Sequence, residues 1–264
     1  MRFTYVLLTF VFASFLFACD LNDSENSGME IPDEGQTEYP DNELLPDDGG
    51  LSKEVPLNEI WYNSKNNSKL DVDNGVFGVS FKYAEFDDLS GYWKLVFDGE
   101  VQSIGDKAFA KCIALTKIVL PNSIRKIGID AFSECENLRS ISLGNSLREI
   151  KKRAFSNCYS LEAIVIPDTV EKLGEDTFRG CLSLAEVKLG KGLKSLPDGI
   201  FWYCPFKSII IPENITRIGE SAFSRCEELL EITIPNGVTT LNDGLFYSCL
   251  KLNRVVLPNS LNKI

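Results

Sequence analysis

Apolar residues recur at a fixed spacing over most of the chain. Phenylalanine returns every 23 residues with one step of 22, a cysteine follows each phenylalanine by three positions, and an aliphatic residue precedes it by five. Three registers that persist through seven units indicate a repeat, and a unit of this size cannot bury its own apolar side. The pattern therefore predicts a solenoid of stacked coils. The phenylalanines are Phe109, Phe132, Phe155, Phe178, Phe201, Phe223 and Phe246.

Each unit also alternates apolar and polar residues over a short stretch, as a half-buried strand does. In the first unit Leu115, Ile118 and Leu120 are apolar and Pro121 ends the strand. In the fifth unit Pro205 and Phe206 directly follow the cysteine and one residue is missing, which accounts for the 22-residue step.

The outward-facing positions of these strands form a mixed, weakly apolar strip, which predicts a ligand-binding surface. Eight strands at about 4.8 Å spacing would give a surface about 35 Å long, suited to a protein or an extended peptide. The alternative is that these positions are merely solvated. The strip comprises Lys117, Val119, Ser140, Ser142, Ala163, Val165, Glu186, Lys188, Ser208, Ile210, Glu231, Thr233, Arg254 and Val256. Trp202 and Tyr203 are a second candidate, because exposed aromatic residues anchor ligands. The alternative is that they pack across the missing residue of the fifth unit.

The N-terminal segment predicts export. An uncharged run from Phe3 to Ala18 is too short to cross a bilayer as a helix, which favours a signal peptide over residues 1–18. Leu16 to Cys19 resembles the lipobox of bacterial lipoproteins, in which a lipidated Cys19 becomes the new N-terminus. An uncleaved anchor or a signal cut elsewhere is the alternative.

Residues 19–59 predict a disordered acidic tether after the lipidated cysteine. Asp20 to Glu59 contains 13 acidic residues and one basic residue, and few large apolar ones. The acids after Cys19 also resemble the export signals of Bacteroides-type lipoproteins, which implies anchoring in the outer membrane at the cell surface. A solvated linker explains the same residues.

Residues 60–91 lack the repeat and are rich in aromatic and β-branched residues, so they predict a small strand-rich cap on the first coil. The solenoid is assigned to residues 92–264, with Tyr92 to Ile104 as a half repeat. Ile264 falls in the middle of a unit, so the array is expected to continue beyond it or to be covered by another chain.

Composition limits the chemistry. The chain of 264 residues has no histidine, which removes histidine-dependent catalysis and the commonest zinc ligand. Its net charge of -11 argues against a nucleic-acid partner. The seven repeat cysteines share one slot, which predicts a ladder of buried free thiols rather than disulfides or a metal site. No cofactor, metal or enzymatic activity is expected.

The repeat motif resembles the BspA-like leucine-rich repeat family of bacterial surface proteins. L-x-x-I-x-L-P followed by I-G-x-x-A-F-x-x-C is intact from Ile127 to Cys135 and from Ile218 to Cys226. The resemblance implies an α/β leucine-rich repeat solenoid, a right-handed superhelix with parallel strands on the concave face and short helical turns on the convex face. It also implies binding of a host or neighbouring-cell surface protein, with contact to the membrane only through the lipid anchor. A glycan-capturing or structural envelope protein that uses exposed aromatics is the alternative.

Overall fold

The computed structural model describes residues 54–72 and 75–262. The predicted signal peptide, Cys19 and most of the predicted tether lie outside the described residues. Within the described ranges no helix has the length and apolar character needed to span a membrane. The strands are β1 (Glu59–Ser64), β2 (Phe81–Asp87), β3 (Tyr92–Phe97), β4 (Ser103–Ile104), β5 (Leu115–Val119), β6 (Lys126–Ile127), β7 (Ser140–Ser142), β8 (Glu149–Ile150), β9 (Ala163–Val165), β10 (Lys172–Leu173), β11 (Glu186–Lys188), β12 (Ser195–Leu196), β13 (Arg217–Ile218), β14 (Glu231–Thr233) and β15 (Arg254–Val256).

Two series of parallel strands build the repeats. In the first series β5 pairs with β7, β9 with β11, and β14 with β15, each in register one unit apart, as Ile118 with Ile141. The second series contains the sheet β4-β6-β8-β10 and the pair β12-β13. About seven turns are stacked in this way, so the predicted solenoid of parallel strands is confirmed.

The repeated phenylalanines form one continuous stack through the core. Neighbouring rings are 5.1 to 6.0 Å apart between centroids, and their planes differ by no more than 17°. Six of the seven rings, from Phe109 to Phe223, are fully buried, and Phe246 is partly buried. Each coil therefore shares its interior with the coils on both sides.

The outer segments, which run from two residues before each repeat phenylalanine to the cysteine after it, are not helical. The helical convex face that the family resemblance implied is thus wrong. Among the described residues the single helical element is the 3-10 turn Lys65–Asn67, which lies in the cap. Instead, the residues two positions before and two after the phenylalanine have positive φ, as Arg153 (54°) and Asn157 (59°) do.

Backbone hydrogen bonds between coils explain this conformation. The N–H groups of Arg153, Phe155 and Asn157 donate to carbonyls of the next coil, with the Phe155 N–H reaching the Thr177 carbonyl at 2.9 Å. An α-helix would need those donors for its own carbonyls four residues earlier. Because each coil gives alternate N–H groups to its neighbour, no helix can form, and the segments act as an additional ladder between coils.

The cap joins the first series of strands directly. β1 lies antiparallel between β3 and β5, so that one sheet has the order β2-β3-β1-β5-β7. The expected half repeat therefore differs from the structure at Tyr92–Phe97, which pairs antiparallel with β1 and β2. It is matched at Ile104, which pairs in parallel with Ile127. The chain already takes part in the fold at Leu57, whose carbonyl accepts a hydrogen bond from the Val101 N–H.

The repeat cysteines fill a structural slot. Cys135, Cys158, Cys181, Cys204, Cys226 and Cys249 are free. Each of these thiols donates to the carbonyl of the phenylalanine one coil earlier, as Cys181 Sγ does to the Phe155 carbonyl at 3.2 Å. Burial raises the pKa of Cys135 and of Cys181 to about 12. Cys112 is disulfide-bonded, so the prediction of seven free thiols is wrong at the first coil.

The fifth unit interrupts the first series of strands. Ser208 and Ile210 are predicted to lie on a strand, but the described backbone forms no strand between β12 and β13. Phe206 occupies the slot that leucine fills elsewhere, and its ring meets Phe201 edge-on at 5.4 Å and 90°. The missing residue and this larger side chain together displace the segment from the strand ladder.

Candidate functional site

The fourteen residues of the predicted strip, which we name the strand face, fall into two halves that differ in accessibility. The members up to Glu186 are half-buried, whereas those from Lys188 onward are exposed to solvent. Ile210 is the extreme case, because 86% of its surface is exposed although it is a large apolar residue. The exposed half comprises Lys188, Ser208, Ile210, Glu231, Thr233, Arg254 and Val256.

The exposed half carries positively and negatively charged side chains. Arg254 Nη1 lies 3.4 Å from Glu231 Oε2, and both side chains are more than half exposed. An ion pair this exposed contributes little to stability, so a partner can exchange it at little cost. Most of the other exposed members of the strand face are polar or charged, whereas Ile210 is a large apolar residue.

The cap extends the same face at its N-terminal end. Trp61 lies opposite Val119 across β1 and β5, and its ring centroid is 6.1 Å from that of Tyr92. Lys94 Nζ lies 5.1 Å from the Trp61 ring centroid, and Lys117 Nζ lies 5.4 Å from that of Tyr92. Both rings are buried, so they form a rigid end to the strand face rather than an open platform.

An ion pair fixes this cluster. Lys94 Nζ is 2.6 Å from Asp87 Oδ2, and the lysine lowers the pKa of Asp87 to about 2. The same contact raises the pKa of Lys94. Sequence reasoning missed the cluster because it depends on the insertion of β1 between β3 and β5. The available signal was the strand pattern of Ile60, Trp61 and Tyr62. In a strand it places the Trp61 side chain on the opposite face of the sheet from Ile60 and Tyr62.

Trp202 and Tyr203, the second predicted site, lie elsewhere. They belong to the outer segment of the fifth coil, and their rings are parallel within 7° at a centroid distance of 6.3 Å. Tyr203 is 40% exposed, whereas Trp202 is half-buried. The structure therefore separates the two candidate sites onto different faces of the solenoid.

In residues 54–72 and 75–262, no group of three or more histidine, cysteine, aspartate or glutamate side chains is arranged to hold a metal ion. The free thiols of the repeats are committed to backbone carbonyls, as described above.

A family model described as the BspA type leucine rich repeat region matches the chain in six copies, over residues 79–204 and 149–264. Together these matches cover more than half of the chain. The chain belongs to this family. The resemblance drawn from the L-x-x-I-x-L-P and I-G-x-x-A-F-x-x-C motifs is thus confirmed.

Several solved structures of bacterial proteins are similar to this BspA-type chain. A leucine rich repeat protein of T. pallidum shares 34% identity over 63% of this chain and 68% of its own, with a TM-score of 0.46. A leucine rich cell surface protein of Faecalibacterium prausnitzii shares 20% identity over 60% and 76%, with a TM-score of 0.36. A leucine-rich repeat protein of Bacteroides ovatus shares 24% over 62% and 66%, with a TM-score of 0.31. No curated protein matches the chain.

Proposed function

We propose that this protein is a cell-surface lipoprotein that binds a protein partner through the strand face and has no catalytic role. The observation that carries the proposal is the exposed half of that face, where Ile210 is 86% exposed between polar and charged neighbours. A large apolar side chain exposed to this extent gains free energy when a partner buries it, so it can act as an anchor at the centre of an interface. The family supports the proposal, because its repeats present extended surfaces for binding.

The half-buried part of the face contributes shape rather than affinity. Ser140, Ser142, Ala163 and Val165 are small side chains, so a partner can approach the backbone closely there. Ion pairs such as Glu231 with Arg254 at the exposed end can orient the partner during the encounter. The partner is therefore expected to be a folded or extended polypeptide that places an apolar side chain against Ile210.

Substitution at the anchor tests this proposal. Ile210→Asp introduces a charge at the centre of the interface, and we expect it to weaken binding at least tenfold, because central anchors carry about 2 kcal/mol or more. An array of purified extracellular host and bacterial proteins is probed with the wild-type chain. Each retained protein is then titrated by surface plasmon resonance against the wild type and the variant.

Leu182→Asp is the matched control. Leu182 is also apolar and 54% exposed, but it lies outside the strand face. The control should bind as the wild type does, and circular dichroism should show both variants folded. Binding that Ile210→Asp leaves unchanged, or that Leu182→Asp weakens equally, would contradict the proposal.

The lipid anchor is a separate part of the proposal and rests on the Leu16 to Cys19 motif. Cys19→Ala is expected to move the protein from the membrane fraction to the soluble fraction of the producing cells, because the variant cannot be acylated. Ser24→Ala is the control and should stay with the membrane. Unchanged membrane retention of Cys19→Ala would refute the lipid anchor.

A further inference from the structure

A row of arginine and aromatic side chains runs along the outer segments of four successive coils. The guanidinium carbon of Arg179 lies 4.2 Å from the Trp202 ring centroid. That of Arg225 lies between two tyrosines, 5.0 Å from the Tyr203 ring centroid and 5.7 Å from that of Tyr247. With the parallel rings of Trp202 and Tyr203, these residues form one column, which we name the arginine–aromatic column.

The two arginines differ from their neighbours in how their charge is balanced. Arg153, in an earlier outer segment, makes a bidentate pair with Asp130, at 2.7 and 2.9 Å. Arg179 has an acid no nearer than 3.9 Å, at Asp176, and Arg225 forms no ion pair with any described residue. Among residues 54–72 and 75–262, the Arg225 guanidinium is thus a cation without an acidic partner.

Stacking leaves the hydrogen-bond donors of Arg225 available. A guanidinium covered on its faces by aromatic rings keeps its N–H groups in its own plane, at the edge of the stack. A carboxylate can accept two of them in parallel, which is the strongest geometry for an arginine. Because the tyrosine rings hold the guanidinium in place, little conformational entropy is lost when such a ligand binds.

The exposed rings add a second kind of contact. Tyr203 is 40% exposed and Tyr247 is 61% exposed, so ring surface and phenol oxygens are both accessible beside the guanidinium. The negative face of an aromatic ring attracts the C–H groups on the face of a sugar ring. The phenol oxygens can donate to and accept from sugar hydroxyls.

Charge density distinguishes among anionic ligands. Arg179 and Arg225 are two coils apart, about 10 Å at the strand spacing. Asp130, Glu134 and Asp176 lie in neighbouring outer segments and would repel a densely charged polymer. Nucleic acids and sulfated polymers, which need many cations in a row, are therefore disfavoured. Two isolated guanidiniums beside aromatic rings suit a ligand whose carboxylates are sparse.

We propose that the arginine–aromatic column binds a carboxylate-bearing glycan, with Arg225 holding the carboxylate and Tyr203 and Tyr247 contacting the sugar rings. This site is separate from the strand face, so the protein would bind a protein and a glycan on different surfaces. The glycan would add a second attachment point for the same cell-surface molecule.

The test uses hyaluronan oligosaccharides, which carry one carboxylate per disaccharide and no sulfate, with the full-length protein in isothermal titration calorimetry. We expect measurable binding by the wild type, a loss of at least tenfold in affinity for Arg225→Gln and Tyr203→Ala, and a similar loss when the carboxylates are methyl-esterified. Arg225→Lys should also bind weakly, because an ammonium keeps the charge but loses the planar donor pair.

Arg153→Gln is the matched control, since Arg153 lies on the same surface but is paired with Asp130, and it should bind as the wild type does. Ile210→Asp should also bind the oligosaccharide normally, which separates this site from the strand face. Thermal unfolding of each variant confirms folding. No binding by the wild type, equal binding by Arg225→Gln, or equally tight binding of heparin or single-stranded DNA would overturn the proposal.

Discussion

Replacing Phe155 with alanine is expected to lower the free energy of unfolding by about 4 kcal/mol, because removing a buried phenylalanine costs about 3 to 5 kcal/mol. Phe155 is fully buried at the centre of the stack, 5.2 Å from the Phe132 ring centroid and 5.5 Å from that of Phe178. Its loss therefore leaves a cavity between two rings that rigid coils hold apart. Urea denaturation followed by circular dichroism measures the change.

Two variants show whether the effect belongs to the stack. Tyr159→Ala removes an aromatic ring that is 39% exposed, and its cost should stay below about 1 kcal/mol. Phe246→Ala removes a partly buried ring that stacks on one described neighbour, Phe223. The loss of unfolding free energy should lie between those of Phe155→Ala and Tyr159→Ala. If Phe155→Ala costs no more than Tyr159→Ala, the continuous stack is not what holds the coils together.

The core of the repeats was predictable because the same residue type recurs at the same position of each coil, which identifies the buried positions. A 23-residue period places Phe132, Cys135 and Leu138 in equivalent positions of every coil, and all three are fully buried. No knowledge of the backbone path is needed for that inference, since stacked coils of equal length bring equivalent residues together.

The outer segments were not predictable in the same way, because their conformation is set by backbone groups. Lys107, Asp130 and Arg153 have positive φ without being glycine, and their N–H groups are committed to the next coil. A signal did exist in the equivalent positions of other coils, where Gly199 and Gly244 have positive φ. These glycines indicated turns where the family resemblance implied helices.

The sites were predictable only in part. The strand face followed from the alternation, but its uneven exposure depends on the displaced fifth unit, where Ile210 is left in solvent. The arginine–aromatic column joins side chains about one coil apart in sequence, such as Arg179 with Trp202. Their residue types fit no repeat register, so only the structure brings them together.

Alkaline pH is expected to destabilise the protein steeply, because of the thiol ladder. Burial raises the pKa of Cys135 and Cys181 to about 12, and it also raises the pKa of Cys158, Cys204 and Cys226. Well below pH 8 these thiols are protonated in both the native and the unfolded chain, so stability is unaffected. As the pH rises from about 8, the unfolded chain releases protons that the native chain keeps, and the free energy of unfolding falls.

The loss should be about 1 kcal/mol per pH unit for each buried thiol, up to the native pKa. Tyr62, whose pKa burial raises to about 12, adds to it above pH 10. Urea denaturation at pH 7.5, 9, 10 and 10.5 measures the slope. Cys181→Ala should reduce that slope by the share of one thiol, whatever its effect at neutral pH, whereas Cys249→Ala should reduce it less, because Cys249 is only half-buried. An unfolding free energy that is flat between pH 8 and 10.5 would mean that these thiols ionise as readily in the folded coils as in the unfolded chain, and that the ladder is open to water.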